Sequence, residues 1–292
     1  MAQVAPIEWL PDTQWTSEGP THAVEGWIEE GRVLAFAQLA FVLQPGEQRF
    51  LDERWADGRA KNISLRWPAG EVRGAAGEPA DVAALRALIE RYADHAEALA
   101  LRLFPHYRGT LRRGNTSLRP AEIAGRERSW RQDDTRLHVD AFPSNPTQGA
   151  RLLRVFSNVN PRGQPRRWRV GEPFEDLARR YLPVLRRPVP GAARLLEVLR
   201  VTKRRRTEYD HLMLQLHDRA KAAAKFQRTS PQAQVDFAPG TTWVVYSDQV
   251  LHAAFSGQHM LEQTFLLDVD QLKHPQTSPL RTLERLTGRA LR

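Results

Sequence analysis

Residues 135–146, Thr-Arg-Leu-His-Val-Asp-Ala-Phe-Pro-Ser-Asn-Pro, place the strongest constraint on how this chain can fold. His138 and Asp140 are two positions apart, and side chains at that spacing on a β-strand project from the same face. An imidazole and a carboxylate arranged in this way can reach one metal ion together. A third protein ligand must come from elsewhere, so the fold has to bring a distant segment to this strand.

His252 is the best candidate for the third ligand. It follows a β-rich run, Gly240-Thr-Thr-Trp-Val-Val-Tyr, and a polar turn at residues 247–249. Two histidines and one carboxylate on one side of a metal leave the opposite side open, which is the facial triad of non-haem Fe(II) oxygenases. The alternatives are that His138 and Asp140 form an ordinary surface pair and that His252 is a hydrogen-bonded histidine of the core.

Strand patterns occur in two separate regions of the chain. Within residues 130–160, the run Ala150-Arg-Leu-Leu-Arg-Val-Phe-Ser-Asn follows a loop that contains two prolines and a glycine. Residues 233–270 contain further strand patterns that are joined by hairpin turns. Late strands that meet the earlier ones are what a two-sheet antiparallel jelly roll requires. We therefore predict an α+β protein with a double-stranded β-helix core, the jelly roll of cupin-like proteins.

Bracing segments are predicted to surround this core within a single domain of residues 1–292. Residues 1–73 have the pattern of edge strands and irregular cover. A helix over residues 80–105, with Asp81 as its cap, has leucines near helical spacing and would brace a sheet. Residues 162–228 are predicted to be a basic helical insertion, with separate helices opening at Glu172, over residues 191–206 and over residues 208–226.

Positive charge is concentrated in that insertion. The whole chain has 43 Lys and Arg against 34 Asp and Glu, and residues 151–228 alone have 20 basic and 7 acidic residues. Such a segment attracts polyanions, either nucleic acid, anionic lipid headgroups or charged glycans. The alternative is a solvated face without a dedicated partner.

The chain has no cysteine, so disulfides are excluded and any metal site must use nitrogen and oxygen ligands. Its N-terminus lacks the pattern of a signal peptide. The longest apolar run, near residues 33–43, is shorter than the ~20 residues that span a bilayer. These features predict a cytoplasmic protein that is either soluble or peripherally attached to a membrane.

A C-terminal helix over residues 278–292 is predicted to be amphipathic, with leucines on one side and arginines on the other. A short basic amphipathic helix can lie on an anionic membrane surface. It can equally dock on its own domain.

Together these residues resemble a known family. His138-Val-Asp140, a strand that ends in Asn158-Val-Asn160, and Gly240-Thr-Thr-Trp followed by His252 resemble the Fe(II)/2-oxoglutarate-dependent oxygenases of the double-stranded β-helix fold. With the arginine-rich insertion and the phrase His-Val-Asp-Ala-Phe-Pro-Ser-Asn-Pro, the chain more closely resembles the Kdo hydroxylases of Gram-negative bacteria, over about residues 61–270.

The resemblance implies a reaction, cofactors and partners. The reaction is hydroxylation at C3 of the terminal sugar of Kdo-lipid A, which gives the octulosonic acid Ko while 2-oxoglutarate becomes succinate and CO2. Fe(II), held by His138, Asp140 and His252, 2-oxoglutarate and O2 are the implied cofactors. The implied location is the cytoplasm, with contact to the anionic surface of the inner membrane on its cytoplasmic face, and no nucleic acid is expected as a partner.

The distal carboxylate of 2-oxoglutarate needs a cation. Many relatives of this fold place Arg or Lys about ten residues beyond the distal histidine, but here that region has no cation except His259. An arginine on a buried strand is costly unless it holds a carboxylate. Arg154 is therefore predicted to bind the distal carboxylate, assisted by Asn158 and Gln263. The alternative for Arg154 is a structural ion pair.

Three other functions stay open at this stage. A non-enzymatic polyanion or nucleic-acid binder would use the basic region 151–228 and would bind in a salt-dependent way without His138 and Asp140. An oxygenase of the same chemistry could act on a protein side chain or a nucleobase. A cupin-type metalloenzyme would bind Fe(II) and consume no keto acid.

Overall fold

The computed structural model describes residues 4–16, 24–123, 125 and 129–292, and its core is two facing β-sheets. The strands of the described residues are β1 (Ile7–Leu10), β2 (Val33–Phe36), β3 (Ile63–Arg66), β4 (Glu71–Arg73), β5 (Arg112–Arg119), β6 (Arg151–Asn158), β7 (Arg166–Gly171), β8 (Gln232–Phe237), β9 (Thr242–Tyr246), β10 (His252–Ser256) and β11 (Met260–Leu267).

The larger sheet has eight strands in the order β1-β2-β9-β6-β11-β5-β3-β4, and the smaller has three in the order β10-β7-β8. The pairs β6–β9, β6–β11 and β5–β11 at the centre of the larger sheet are all antiparallel. Residues 134–140 run along the free edge of β10 and exchange backbone hydrogen bonds with it, so they extend the smaller sheet. The two sheets form the predicted jelly-roll core.

An aromatic cluster fills the space between the two sheets. The Phe237 and Trp243 rings stack with their centroids 4.1 Å apart, and Phe156 stacks on the other side of Trp243 at 5.3 Å. Trp168 meets Trp243 edge-on and stacks on the His252 imidazole at 5.1 Å. Rings of this size bury large apolar areas, so the cluster holds the sheets together and fixes the orientation of His252 at its end.

Seven α-helices lie in the described part of the chain. They are α1 (Glu25–Glu29), α2 (Pro79–Leu103), α3 (Phe174–Tyr181), α4 (Ala192–Val198), α5 (Glu208–Ala222), α6 (Ala224–Thr229) and α7 (Pro279–Thr287). None of these helices combines the length and the apolarity needed to cross a bilayer.

The bracing helix agrees with its predicted position. Pro79 occupies the first turn of α2, and Asp81 is an acidic residue of that turn while Glu78 takes the cap position. The buried face packs on the outer side of the larger sheet, where the hydroxyl of Tyr92 donates to the carbonyl of Val155 over 3.1 Å. Helix α2 thereby braces the larger sheet from its outer side.

The basic insertion is less helical than predicted. Its first part, at residues 166–171, is strand β7 of the smaller sheet. The helix predicted over residues 191–206 is limited to α4, and the one predicted over 208–226 is interrupted at Ala223, whose backbone is extended. The predicted opening near Glu172 is confirmed, because α3 begins directly after Pro173.

The C-terminal helix docks on its own domain. Leu280 and Leu283 are completely buried and belong to the main hydrophobic core. Its arginines form ion pairs with carboxylates of the same chain, for example Arg285 with Glu175 at 2.7 Å. The membrane alternative for this helix is not supported, because its apolar side is already covered.

Candidate active site

The smaller sheet brings the three predicted ligands to one point. The amide of His138 donates to the carbonyl of His252 over 3.0 Å, and the amide of His252 donates back to His138 over 2.9 Å. The amide of Asp140 donates to the carbonyl of Ser247 over 2.8 Å, which fixes the backbone that carries the carboxylate ligand. One ligand atom from each of the three side chains lies within 4.8 Å of the others. The predicted convergence is confirmed.

Backbone carbonyls orient both imidazoles for metal binding. Nδ1 of His138 lies 2.7 Å from the carbonyl of Arg136, and Nδ1 of His252 lies 2.9 Å from that of Val250. A carbonyl only accepts, so each Nδ1 carries the proton and each Nε2 is left with its lone pair. These Nε2 atoms lie 3.7 and 3.9 Å from oxygens of Asp140, which is the donor set of a divalent metal site.

Electrostatics keeps the three groups in the protonation states that a metal needs. Burial lowers the pKa of both histidines, so the imidazoles are neutral. Burial alone would raise the pKa of Asp140, but the Arg154 guanidinium beside it outweighs burial and holds that pKa well below its usual range. Its buried Oδ2 has no hydrogen-bond partner among the described residues. Neutral imidazoles and an ionised carboxylate are what a metal binds.

A cavity of about 290 Å³ lies between the two sheets beside this group. Its floor comes from inward positions of β5, β6 and β11, and its opposite wall from β7, β10 and the His138 segment. The lining residues are Lys61, Asn62, Asn115, Ser117, Arg119, Asp134, His138, Asp140, Phe142, Arg154, Phe156, Arg166, Trp168, His252, Ala254, Met260, Glu262 and Thr264.

Arg154 lines this cavity, but two carboxylates of the chain already hold it. Its Nη2 lies 3.3 Å from Oδ2 of Asp140, and its Nη1 lies 2.9 Å from Oε1 of Glu262. Glu262 also pairs with Arg119. The structural ion pair that the sequence left open for Arg154 is therefore formed, and it places a cation directly behind the candidate metal ligand.

Arg166 has no such partner among the residues that the structure describes. It is 1% exposed, and its Nη1 donates to the carbonyl of Gly257 over 2.6 Å, while Nε and Nη2 are buried without a described acceptor. Burial, together with the nearby Arg119, lowers the pKa of Arg166 to about 9. The indole N–H of Trp168, two residues along the same face of β7, also has no acceptor in the described part of the chain. Unpaired buried donors are rare and call for a ligand.

Asn158 and Gln263 do not line the cavity. The Asn158 side-chain amide donates to backbone carbonyls of Gln164 and Phe237 and holds the turn after β6. Gln263 is completely buried on β11 between Glu262 and Thr264, which do line the cavity. Because neighbouring residues of a strand face opposite sides, Gln263 faces away. The predicted role of both in binding 2-oxoglutarate is not supported by this placement.

A second cavity, of about 890 Å³, opens from the first towards solvent. The two share Lys61, Asp134, His138, Asp140 and Phe142. The outer walls are residues 129–132 and α5 with the residues before it, so the insertion shapes the entrance. The lining residues that the inner cavity lacks are Ser129, Trp130, Arg131, Gln132, Ala141, Pro143, Arg206, His211, Leu214, Gln215, His217, Asp218, Arg219, Lys221 and Ala222.

Sequence reasoning missed Arg166, Trp168 and Glu262. The first two were assigned to a helical segment, although Arg167-Trp-Arg-Val alternates charged and apolar residues as a strand does. That alternation was the available signal. For Glu262 the residue type was visible, but nothing in the sequence fixed which face of β11 points into the cavity.

Comparisons with known proteins agree with this geometry. Residues 12–290 match the family described as 3-deoxy-D-manno-oct-2-ulosonic acid (Kdo) hydroxylase. The chain is similar to three solved structures of the Kdo hydroxylase KdoO, a non-haem Fe(II) α-ketoglutarate-dependent dioxygenase. They are the apo form, with 46% identity and a TM-score of 0.95, the complex with α-ketoglutarate and Fe(III), with 46% and 0.94, and the complex with cobalt(II), with 47% and 0.95.

Each of these three alignments covers 98% of this chain and 97% of the other. No curated protein matches the chain.

Proposed function

The chain belongs to the Kdo hydroxylase family of Fe(II)/2-oxoglutarate-dependent dioxygenases, and from this premise we propose that it hydroxylates C3 of the terminal Kdo sugar of Kdo-lipid A, which gives Ko. The observation that carries the proposal is the convergence of two Nε2 lone pairs and one ionised carboxylate at the mouth of a cavity. When bound, Fe(II) with 2-oxoglutarate and O2 supplies the oxidation that replaces a C–H bond by C–OH, with succinate and CO2 as the other products.

His138, Asp140 and His252 would hold the iron. The carbonyls behind the two Nδ1 atoms keep both Nε2 atoms directed at the metal position. Arg154, between Asp140 and Glu262, keeps the carboxylate ionised and oriented, which is the usual work of a charged group behind a metal ligand. Arg154 is therefore assigned a positioning role in place of the carboxylate-binding role predicted from the sequence.

Arg166 and Trp168 would hold the distal carboxylate of 2-oxoglutarate. The free Nε and Nη2 of the guanidinium form a fork that matches a carboxylate, and the free indole N–H adds a third donor. Trp168 stacks on His252, so both donors belong to the wall that carries a metal ligand. Asn115, Ser117 and Thr264 on the opposite wall offer polar groups to the same ligand.

The sugar would enter through the outer cavity. Kdo carries a carboxylate, and lipid A carries phosphates, so the substrate is strongly anionic. Arg206 and Arg219 line the outer cavity without an ion pair to any described carboxylate, and Lys221 lies deeper, with its Nζ 2.9 Å from the carbonyl of Arg131. These three cations would receive the acidic groups of the substrate and direct C3 of the terminal sugar towards the metal.

Succinate release tests the proposal. Wild-type protein, supplied with Fe(II), O2, 2-oxoglutarate and detergent-dispersed Kdo-lipid A, should release succinate, and the lipid should gain one oxygen atom on its terminal sugar by mass spectrometry. His138→Ala should abolish both signals. His274→Ala is the matched control, because this histidine is exposed and remote from both cavities, and its activity should equal that of the wild type.

Two results would contradict the proposal in different ways. Succinate release without any change to the lipid would support the dioxygenase reaction and contradict Kdo-lipid A as its substrate. Hydroxylation at a carbon other than C3 would retain the substrate and reject the assigned position.

A further inference from the structure

The part of the insertion formed by residues 184–205, here named the insertion tip, exposes an unusual amount of apolar surface. Nine large hydrophobic residues are strongly exposed in the described chain, and six of them lie in this short segment. They are between 52% and 72% exposed. The six are Val184, Val189, Leu195, Val198, Leu199 and Val201. Clustered exposed aliphatic side chains mark a surface that contacts something else.

The insertion tip is also strongly cationic. It contains seven basic residues and one acidic residue, Glu197. All seven basic residues are exposed, and none forms an ion pair with a carboxylate that the structure describes. The seven are Arg186, Arg187, Arg194, Arg200, Lys203, Arg204 and Arg205.

Helix α4 in the tip differs from the C-terminal helix α7, although both are short and contain arginine and leucine. Helix α7 buries its leucines in the core and pairs its arginines with acids. Helix α4 has no buried residue at all. Since the Leu195 and Val198 side chains of α4 stay more than half exposed in the folded domain, folding of the domain does not account for them.

The insertion tip lies beside the entrance of the active site. The amide of Lys203 donates to the carbonyl of Ser144 over 2.9 Å. Directly after the tip, the guanidinium of Arg206 donates to the carbonyl of Pro143 over 2.7 Å. Pro143 and Arg206 both line the outer cavity. A surface that contacts the insertion tip is therefore brought next to the cavity mouth.

We propose that the insertion tip docks on an anionic lipid bilayer. Aliphatic side chains interleaved with unpaired cations match the interfacial region of such a bilayer, where acyl chains and charged headgroups lie at adjacent depths. A nucleic acid would use the cations and leave six aliphatic side chains in water. A second copy of this chain would bring two strongly positive surfaces together. That this bilayer also carries the substrate rests on the proposed function; the docking itself does not.

Vesicle co-sedimentation of the full chain tests the docking. Two vesicle types are needed, phosphatidylcholine alone and phosphatidylcholine mixed with phosphatidylglycerol. Wild-type protein should bind the mixed vesicles far better, since each cation near an anionic surface contributes on the order of fivefold to affinity at low salt. The charge variant Arg187→Gln/Arg194→Gln/Arg205→Gln and the apolar variant Leu195→Gln/Val198→Ser/Leu199→Gln should each lose at least about tenfold.

Matched controls exist elsewhere on the surface. Arg59 and Arg108 are exposed arginines without an ion pair to a described carboxylate, and Val42 is 74% exposed. Arg59→Gln/Arg108→Gln and Val42→Ser should bind vesicles as the wild type does. All variants should keep the wild-type melting temperature, because every substituted side chain is exposed.

Several outcomes would overturn the docking proposal. They are absence of wild-type binding to mixed vesicles, undiminished binding by the tip variants, and an apolar variant that loses only self-association in sedimentation velocity. Succinate release separates this proposal from the proposed function. With Kdo-lipid A in detergent, the tip variants should turn over at the wild-type rate, and with the lipid in vesicles they should slow by the factor lost in binding. A wild type that binds vesicles and turns over no lipid would contradict the proposed function alone.

Discussion

Replacing Arg166 by methionine should stabilise the protein and weaken 2-oxoglutarate binding at the same time. The guanidinium is fully buried between the sheets, keeps a single hydrogen bond to Gly257, and has no carboxylate partner in the described structure. Methionine has a similar length, no charge and the flexibility to fill the same space. Arg166→Met therefore removes an uncompensated charge without opening a large cavity.

The pKa of Arg166 sets the size of the effect. Its value falls from the ordinary arginine range in the unfolded chain to about 9 in the folded protein, and each unit corresponds to about 1.4 kcal/mol. The charged form therefore destabilises the fold by roughly 5 kcal/mol as an upper bound, less about 1 kcal/mol for the hydrogen bond that the variant loses. The penalty is complete below pH 9, because the guanidinium is then charged in both the folded and the unfolded state, and it is relieved as the pH rises above 9 towards the ordinary arginine pKa.

Thermal unfolding and calorimetry measure the two effects. Near pH 7.5, which is chosen as roughly physiological and lies below the folded pKa, the apo variant should unfold several degrees above the wild type. 2-Oxoglutarate with cobalt(II) should raise the midpoint of the wild type strongly and that of the variant little. Loss of a buried charged contact predicts about 30-fold or greater weakening of 2-oxoglutarate binding.

Arg167 is the matched control for this substitution. It is the next residue on β7, faces outward, is about half exposed, and pairs with Asp236 at 3.5 Å. Arg167→Met should change stability by less than about 1 kcal/mol and leave 2-oxoglutarate affinity unchanged. An Arg166→Met protein that melts below the wild type, or that binds 2-oxoglutarate equally well, would refute the assignment of Arg166.

Three further substitutions test other contacts. Arg154→Met removes the cation behind Asp140, so cobalt(II) affinity measured by calorimetry should fall about 10- to 100-fold. Asp248→Asn leaves the fully buried Arg151 without its 2.7 Å ion pair, so urea unfolding should show a loss of about 3 to 5 kcal/mol. Glu175→Gln removes an exposed carboxylate whose pKa is lowered to about 2 by arginines that include one of α7. The loss of unfolding free energy in this variant should be below about 1 kcal/mol at neutral pH. It should vanish as the pH falls from the ordinary pKa of glutamate towards 2.

Each of these has a contrary outcome. Unchanged cobalt(II) affinity in Arg154→Met would show that Asp140 needs no cation behind it. An Asp248→Asn loss no larger than that of Asp236→Asn, which breaks an exposed pair, would show that burial of the pair adds nothing. A Glu175→Gln difference that persists at pH 2 would mean that the carboxylate acts by packing, because its stabilisation is present only above that pH.

The metal ligands were predictable because their geometry follows from strand periodicity. Two positions on an extended segment share a face whatever the rest of the chain does. A histidine that follows a β-rich run and a turn needs only one antiparallel contact to join them, and the bridge between His138 and His252 supplies it. The jelly roll followed from strand-forming runs that turn residues separate, such as residues 150–158 and 241–246.

The cavity walls were not predictable in this way. Arg166 and Trp168 lie on a strand within a segment whose many arginines favoured a solvated helix. Gln263 has an amide that could bind a carboxylate, but it lies on the face of β11 that points away from the cavity, since the register of β11 places Glu262 inward. One partner of Arg154 is Glu262 on β11, more than a hundred residues away, and no local pattern in the sequence predicts that contact.

The positive charge of the chain does two different things, and ion pairing separates them. In the inner cavity Lys61, Arg119 and Arg154 are each paired with an acid, so their fields are largely cancelled and their positions are fixed. Arg166 is buried and forms no ion pair with a carboxylate of residues 4–16, 24–123, 125 or 129–292, so a small dianion can reach it and a polymer cannot. At the insertion tip the cations are unpaired and exposed, so their field extends about a Debye length, ~8–10 Å at physiological salt. The buried positive charge of Arg166 suits a small carboxylate ligand, and the exposed positive charge of the insertion tip suits an extended anionic surface.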